Sequence, residues 1–286
     1  MPISKKGLTT NVVKTQSDAM TSLIAWAGVD SRGPASVYLA SDSRISWETG
    51  EKWDYGRKLF ASHTHADLFG YCGTVFFPSL ILGQFLALAD AGALFAPDAL
   101  PTERHKALLT LAATGLDGFP TKQRASFTIV HAGRLGLGMS SSFHLWRTDW
   151  SLEKGWRDAA IDLPTQSTLV CALGSGGGAV VRYDEKWRRS DVGRTSRAVF
   201  SAFCDALRSG DDQYSGGGPQ LVGLYRKGAG ELFGVLWGGQ GYLLGLPAGN
   251  PAGLVVEWRN ELFERCDPAT GDRLTGAQRH SRPVGL

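Results

Sequence analysis

The chain has 286 residues, of which 43% are apolar and 20% are charged, and its formal net charge is +3 at neutral pH. This is the composition of an ordinary globular protein, which excludes a disordered chain and a protein that coats nucleic acid. The longest apolar run, residues 79–91, is shorter than the roughly 18 to 20 residues of a membrane span and is interrupted by Gly83, Gln84 and Asp90. We therefore expect one globular domain without a membrane or nucleic-acid partner.

The first twenty residues are polar and lack the apolar segment of a secretory signal. Residues 1–20 are interpreted as a leader or propeptide, or as a stretch upstream of a true start at Met20. The four cysteines are widely spaced and form no CxxC pair, which is typical of reduced packing residues in a cytoplasmic protein. His63 and His65 form an HxH pair that a polar turn explains, and no other histidine has ligand spacing. No metal or cofactor is expected.

The spacing of apolar residues and the positions of the glycines between them predict the secondary structure in chain order. The expected elements are strands 22–27 and 37–41 joined by a loop at 28–36, strands 59–61 and 68–72 turning at 63–65, helices 76–91 and 102–116, strands 126–131, 135–139, 143–147 and 167–173, a helix at 194–208, strands 220–225 and 232–237, and a loose tail after about residue 267. This order predicts an α+β fold: a four-layer αββα sandwich with two antiparallel sheets between helix layers. Residues 21–286 would form this single domain.

Thr21 opens the first apolar strand directly after the polar leader. A threonine hydroxyl needs a base to become nucleophilic, and a free α-amine with a pKa of about 8 can supply it when the threonine begins the chain. Asp42 ends the neighbouring strand, and a hairpin can bring Lys58 against it beneath Thr21. There the lysine would depress the pKa of the attacking hydroxyl, and the aspartate would orient it. Considered alone, Thr21 is also typical of an ordinary threonine at the start of a strand. Considered alone, Asp42 and Lys58 are also typical of a surface ion pair.

Glycine-rich segments supply the remaining candidates. Gly73 precedes a predicted helix, where an unhindered backbone N–H could receive an oxyanion, although a simple turn would look the same. Residues 174–179 formally match the dinucleotide pattern G-x-G-x-x-A, but no second strand with a ribose-binding acid follows, so nucleotide binding is not favoured. We predict instead that Ser175 hydrogen-bonds the terminal amine or relays its proton, and that Asp212 and Ser215 orient that amine from a turn.

The order and spacing of these motifs resemble the proteasome β-type branch of the N-terminal nucleophile hydrolases, which includes the bacterial proteasome-like peptidases. The resemblance spans residues 21–236 and is carried by Thr21-Ser22-Leu23-Ile24-Ala25, Leu39-Ala40-Ser41-Asp42-Ser43-Arg44, Arg57-Lys58-Leu59, Gly70-Tyr71-Cys72-Gly73, Leu173-Gly174-Ser175-Gly176 and Asp212-Gln213-Tyr214-Ser215-Gly216-Gly217. It implies an autoprocessed threonine-type endopeptidase with Thr21 as nucleophile and the Gly73 N–H as oxyanion donor. It also implies a homo-oligomeric ring, peptide or unfolded-protein substrates, and an ATPase unfoldase as a candidate partner.

Three features depart from this family. Met20, not glycine, precedes Thr21, so either Met20 is the start and is removed by methionine aminopeptidase, or the leader is removed by autolysis. The loop at 28–36 is longer than the family's, and the tail past Pro251 has no counterpart in it. Two other functions stay open: a small-amide hydrolase on the same scaffold, and a non-catalytic ring subunit, which is favoured if residues 1–20 stay attached.

Overall fold

A computed structural model describes the backbone of Val13–Lys14 and residues 21–249, 254–279 and 281–286. The predicted leader, residues 1–20, lies outside the described residues except for that two-residue strand. Within the described residues, no helix is both long and apolar enough to cross a lipid bilayer.

The described residues form sixteen β-strands and four α-helices. The strands are β1 (Val13–Lys14), β2 (Leu23–Asp30), β3 (Gly33–Ser41), β4 (Ile45–Ser46), β5 (Lys52–Trp53), β6 (Leu59–Ala61), β7 (Asp67–Gly73), β8 (Phe127–Leu135), β9 (Ser142–Ser151), β10 (Gly155–Ala160), β11 (Thr168–Leu173), β12 (Gln220–Tyr225), β13 (Glu231–Trp237), β14 (Gln240–Leu243), β15 (Leu246–Pro247) and β16 (Glu257–Asn260). The helices are α1 (Phe76–Asp90), α2 (Pro101–Gly118), α3 (Gly177–Arg188) and α4 (Ser196–Ser209).

Two sheets contain most of the strands. The larger has nine strands in the order β1-β11-β2-β3-β12-β13-β14-β15, with β16 also paired to β13. Its pairs are antiparallel except for β1 with β11 and β16 with β13, which are parallel. The smaller sheet is antiparallel and has five strands in the order β10-β9-β8-β7-β6, while β4 and β5 form a separate short hairpin. The expected mixed α/β architecture with antiparallel sheets is confirmed.

Strand β2 is buried on both faces, so its alternating side chains belong to two different cores. Leu23 and Ala25 lie in a cluster shared with the five-stranded sheet, whereas Ile24 and Trp26 pack with residues of α3 and α4. A third cluster joins α1 and α2 to the five-stranded sheet. Since burying a large apolar side chain contributes roughly 1.5 to 3 kcal/mol, these cores hold the strand ends firmly in place.

The predicted loop at 28–36 is wrong. Strands β2 and β3 stay paired as far as Asp30 and Gly33, which leaves only Ser31 and Arg32 to make the turn. Gly33 has φ of 103°, a left-handed conformation that glycine adopts without steric cost. Most of the residues expected in this loop therefore belong to strands.

Other elements also differ from the prediction. Strands β1, β4, β5, β10, β14, β15 and β16 were not expected. Helix α3 was not expected, because glycines at its start and charges along it obscure its apolar face. The strand expected at 135–139 is absent: β8 ends at Leu135, and Gly138–Ser140 form a 3-10 turn.

The described residues between β15 and the predicted loose tail contribute to the sheet and to the core. Strand β16 joins the large sheet, and Phe263 is buried against the rings of Trp26, Tyr38 and Phe200. Further along, Cys266 and Ala277 are buried as well. This C-terminal segment thus completes the helix-side core.

Candidate active site

The β2–β3 hairpin brings the first candidate residues together. Ser22 precedes β2 and Asp42 follows β3, and the last ladder pair before them is Leu23 with Ser41. The Asp42 N–H donates to Ser22 O at 3.2 Å, and the Ser22 N–H donates to Asp42 Oδ1 at 3.0 Å. The carboxylate of Asp42 therefore lies directly beside Thr21, as the hairpin argument predicts.

Lys58 reaches the same point from the other sheet. It precedes β6, its side chain is fully buried, and its three ammonium protons have three acceptors. Its Nζ lies 2.9 Å from Thr21 Oγ1, 2.7 Å from Asp42 Oδ1 and 2.6 Å from Arg44 O. These bonds offset the cost of burying the ammonium, which is large for an unpaired charge.

Two opposing effects act on the Lys58 ammonium. Burial lowers its pKa, while the neighbouring Asp42 carboxylate opposes that shift. Asp42 is held in place because it also accepts the N–H groups of Arg44 and Gly216, at 3.1 and 3.0 Å.

A second network contacts the backbone nitrogen of Thr21. The Thr21 N–H donates to Ser175 Oγ at 3.2 Å, and the Ser175 hydroxyl donates to Asp212 Oδ2 at 2.7 Å. Ser215 also donates to Asp212 Oδ2, at 2.6 Å, and lies 2.7 Å from Ser22 Oγ. Ser175 is exposed whereas Lys58 is fully buried, so the two networks approach Thr21 from the solvent side and the core side respectively.

Gly176 makes the close approach of these elements possible. Its N–H donates to Thr21 O at 3.2 Å. A Cβ at this position would overlap Ser22 Oγ and stand 2.6 Å from Ser215 Oγ and 3.0 Å from Asp212 Oδ2. Any larger residue would therefore displace the Ser22 and Ser215 hydroxyls.

Gly73 is the last residue of strand β7, which pairs with β6, the strand that follows Lys58. Two residues earlier, the Tyr71 N–H donates to Lys58 O at 3.2 Å, which fixes this part of β7 beside the site. Gly73 has φ of 102°, and a Cβ there would lie 2.6 Å from Ser126 O. The position thus requires glycine, and its oxyanion role stays a prediction.

Two contributors to the site were not predicted. Gln220 is fully buried and binds the backbone of both Asp42 and Lys58. Arg44 pairs with Asp54 through two bonds of 2.7 and 2.9 Å, and its other guanidinium nitrogen donates to Ser215 O at 3.2 Å. Arg44 belongs to one of the motifs named above, but no role was predicted for it. Gln220 is an isolated glutamine at the start of a strand, and nothing in the sequence around it indicates a functional residue.

Neither alternative site gains support from the geometry. The glycine-rich segment after β11 leads into α3 and then α4, with no strand between them to carry a ribose-binding acid. His63 and His65 lie in the turn between β6 and β7, where His65 Nδ1 contacts Thr64 Oγ1 at 2.8 Å. Among the residues that the structure describes, no group of three or more His, Cys, Asp or Glu side chains is arranged to hold a metal ion.

Comparison with known proteins gives structural similarity alone. No family model matches the chain, and no curated protein is similar to it in sequence. Among solved structures, it is similar to Anbu (ancestral beta-subunit) from Yersinia bercovieri, with 10% identity, a TM-score of 0.49, and 72% of this chain and 82% of that chain covered. It is also similar to the eukaryotic HslV from Trypanosoma brucei, with 13% identity, a TM-score of 0.44, and coverage of 71% and 99%. A third is Thiobacillus denitrificans BPH in complex with epoxomicin, with 14% identity, a TM-score of 0.45, and coverage of 72% and 99%.

The expected resemblance to proteasome-like proteins is thus confirmed as a similarity to solved structures. All of these TM-scores lie below 0.5, and the identities lie between 10% and 14%. They do not identify a nucleophile, so any assignment of chemistry depends on the geometry around Thr21.

Proposed function

We propose that this chain is a threonine-type endopeptidase that hydrolyses peptide bonds through Thr21 as the first residue of its mature form. The observation that carries the proposal is the bond of 2.9 Å from Lys58 Nζ to Thr21 Oγ1, made by a lysine that is fully buried and paired with Asp42. Such a group next to a hydroxyl lowers the cost of deprotonating it.

The reaction follows from the two networks. The hydroxyl oxygen of Thr21 attacks the substrate carbonyl, and its proton passes to the free α-amine, which Ser175 and Asp212 orient. The oxyanion of the tetrahedral intermediate is stabilised by the Gly73 N–H. Collapse of the intermediate expels the amine product, which takes the proton, and leaves an ester on Thr21. A water molecule that gives a proton to the α-amine then hydrolyses this ester.

A free α-amine requires removal of whatever precedes Thr21. While residue 20 is attached, the Thr21 nitrogen is an amide without a basic lone pair. We propose removal by autolysis, or by methionine aminopeptidase if Met20 is the start. The same reasoning makes a non-catalytic subunit the alternative for a chain that keeps residues 1–20.

The proposal extends to architecture and partners. Three apolar clusters support a four-layer αββα sandwich: α1 and α2 pack on the five-stranded sheet, α3 and α4 on the nine-stranded one, and the cluster that contains Leu23 and Ala25 lies between the sheets. Residues 21–286 would be one domain with its C-terminal extension. We further propose a cytoplasmic homo-oligomeric ring that confines peptide or unfolded-protein substrates, served by an ATPase unfoldase.

The experiment is a threonine replacement with a matched control. Thr21→Ala should abolish hydrolysis of a fluorogenic peptide while the protein stays folded by circular dichroism, and Thr21→Ser should keep part of the rate. Thr110→Ala, which removes an exposed helix threonine, is the control and should match the parent. A peptide epoxyketone should add once to the parent and not to Thr21→Ala, as read by intact mass. Unchanged turnover in Thr21→Ala would refute the assignment, and turnover of small amides without peptides would favour the small-amide hydrolase.

A further inference from the structure

Gln220 joins the two halves of the candidate site. It is the first residue of β12, it is fully buried, and its carboxamide makes five hydrogen bonds. Its Oε1 accepts the N–H groups of Lys58 and Leu59 at 3.0 and 3.3 Å. Its Nε2 lies 3.0 Å from Asp42 O, 3.0 Å from Ser43 Oγ and 2.8 Å from Gly56 O.

These partners fix the orientation of the amide. The oxygen side faces two backbone N–H donors, and the nitrogen side faces two backbone carbonyls and a hydroxyl. A flipped amide would place its NH2 against donors and its oxygen against carbonyls. Since a buried amide that loses its partners costs about 1 to 3 kcal/mol, a single arrangement is strongly favoured.

The two backbones that Gln220 binds come from different sheets. Asp42 follows β3 in the nine-stranded sheet, and Lys58 precedes β6 in the five-stranded sheet. Gln220 itself lies in β12 beside β3, where it pairs with Ser41. Its side chain therefore crosses from one sheet to the other at the place where Lys58 meets Asp42.

We propose that Gln220 is a positioning residue that sets the distance from Lys58 Nζ to Asp42 and Thr21; its effect on rate rests on the proposed function. Gln220 binds the backbone of the lysine and of the aspartate, so it acts through these two residues. Constellations of this kind work within about 0.5 Å of their productive geometry, and a misplacement of about 1 Å can lower a rate roughly a hundredfold.

Gln220→Met tests this role, because methionine keeps the volume and loses every hydrogen bond. Its control is Gln240→Met, which changes an exposed glutamine that also begins a strand. We expect Gln220→Met to lower kcat by at least about tenfold with little change in KM, and to slow epoxyketone addition to Thr21 by a similar factor. Gln240→Met should match the parent in both.

A second variant keeps the test valid if Gln220→Met does not fold, and it distinguishes a positioning role from a general effect on stability. Gln220→Glu keeps the acceptor for the Lys58 N–H but, when ionised, sets a carboxylate oxygen against the carbonyls of Asp42 and Gly56. Protonation restores one donor, so the rate of this variant relative to the parent should rise as the pH falls. A constant ratio across pH, together with normal rates in Gln220→Met, would overturn the proposal.

A crystal structure of Gln220→Met decides the positioning claim independently of catalysis. The distance from Lys58 Nζ to Thr21 Oγ1, now 2.9 Å, should exceed hydrogen-bond length in this variant and stay unchanged in Gln240→Met. If the parent protein proves inactive, the proposed function fails while this distance still tests the role of Gln220. An unchanged distance would refute it. If Gln220→Met does not fold, the same measurement is made on Gln220→Glu.

Discussion

Lys58 donates a hydrogen bond to the hydroxyl of Thr21 across the boundary between the two large sheets, with 2.9 Å between Nζ and Oγ1. The same ammonium binds Asp42 at 2.7 Å, so the lysine and the aspartate contact the threonine as one unit. All three residues are buried. If Thr21 is the nucleophile, these side chains should act together in turnover.

The first prediction concerns this coupling. Lys58→Ala removes the charge that stabilises the deprotonated hydroxyl, and we expect its single-turnover rate to fall by roughly 10² to 10⁴. Asp42→Asn should do similar harm. The double variant should be little slower than either single one, because residues that act as a unit give non-additive effects. Fully multiplicative losses, or a near-normal rate in Lys58→Ala, would reduce the pair to a structural ion pair.

The second prediction concerns the space around Gly176. Gly176→Ala places a methyl group against Ser22 and Ser215, so we expect a large loss of activity from displacement of the amine-side network. Gly178→Ala lies two residues along in the same glycine run, where a Cβ meets only the end of the Arg182 side chain at 4.0 Å. That control should keep full activity. Peptide hydrolysis, with circular dichroism to verify folding, measures both; equal activities would show that Gly176 is not critical to the site.

The sequence alone predicts the residues at the proposed nucleophile better than it predicts the residues that hold them in place. Thr21, Asp42 and Lys58 lie on two hairpins whose alternating pattern determines where each strand ends. Gln220 could not be found this way, because it contacts Lys58 over 162 residues of chain and belongs to no periodic pattern. Such a contact exists only once the two sheets have packed, which is a tertiary event.

Tertiary packing also limits the prediction of the helices and of the C-terminal residues. The three predicted helices have apolar faces or long apolar runs, whereas α3 begins with Gly177 and was missed. The residues that precede the predicted loose tail contribute to the core: Phe263 packs edge-on against Trp26 and Tyr38, and Trp258 is also buried. Composition alone does not reveal these contacts.

A third prediction concerns acid stability. Burial raises the pKa of the Asp67 carboxyl, but His131 and Arg104 beside it lower the pKa more, and the net shift is downward. A lowered folded-state pKa means that this stabilisation is present above the ordinary aspartate pKa of about 3.9 and is lost as the pH falls below it. At pH 7, Asp67→Asn should cost about 3 to 5 kcal/mol, because it leaves Arg104 buried without its partner.

Urea unfolding at neutral and acid pH checks the sign of this effect. The difference in unfolding free energy between the parent and Asp67→Asn should shrink as the pH falls through the aspartate range. Asp117→Asn, on the exposed side of α2, should differ little from the parent at either pH. A gap for Asp67→Asn that stays constant or grows toward acid pH would contradict the assigned direction.

A fourth prediction concerns the cysteines. Burial raises the pKa of the Cys72 thiol to about 12 and that of Cys171 to about 12, and it also raises the pKa of Cys204 and Cys266. Thiolate is the reactive form, so iodoacetamide at pH 8 should leave the folded protein unlabelled. The unfolded protein should gain four adducts, one for each cysteine. Rapid labelling of the folded protein would show that one of them is accessible.

The most direct test of the central claim is the identity of the first residue in the active protein. Intact mass and N-terminal sequencing of the fraction that hydrolyses peptide should give Thr21 as residue one, because only a free α-amine on that residue can serve as its base. The epoxyketone adduct should be found on the same species. Full peptide hydrolysis by a protein that retains residues 1–20 would contradict the mechanism, whatever the geometry around Lys58.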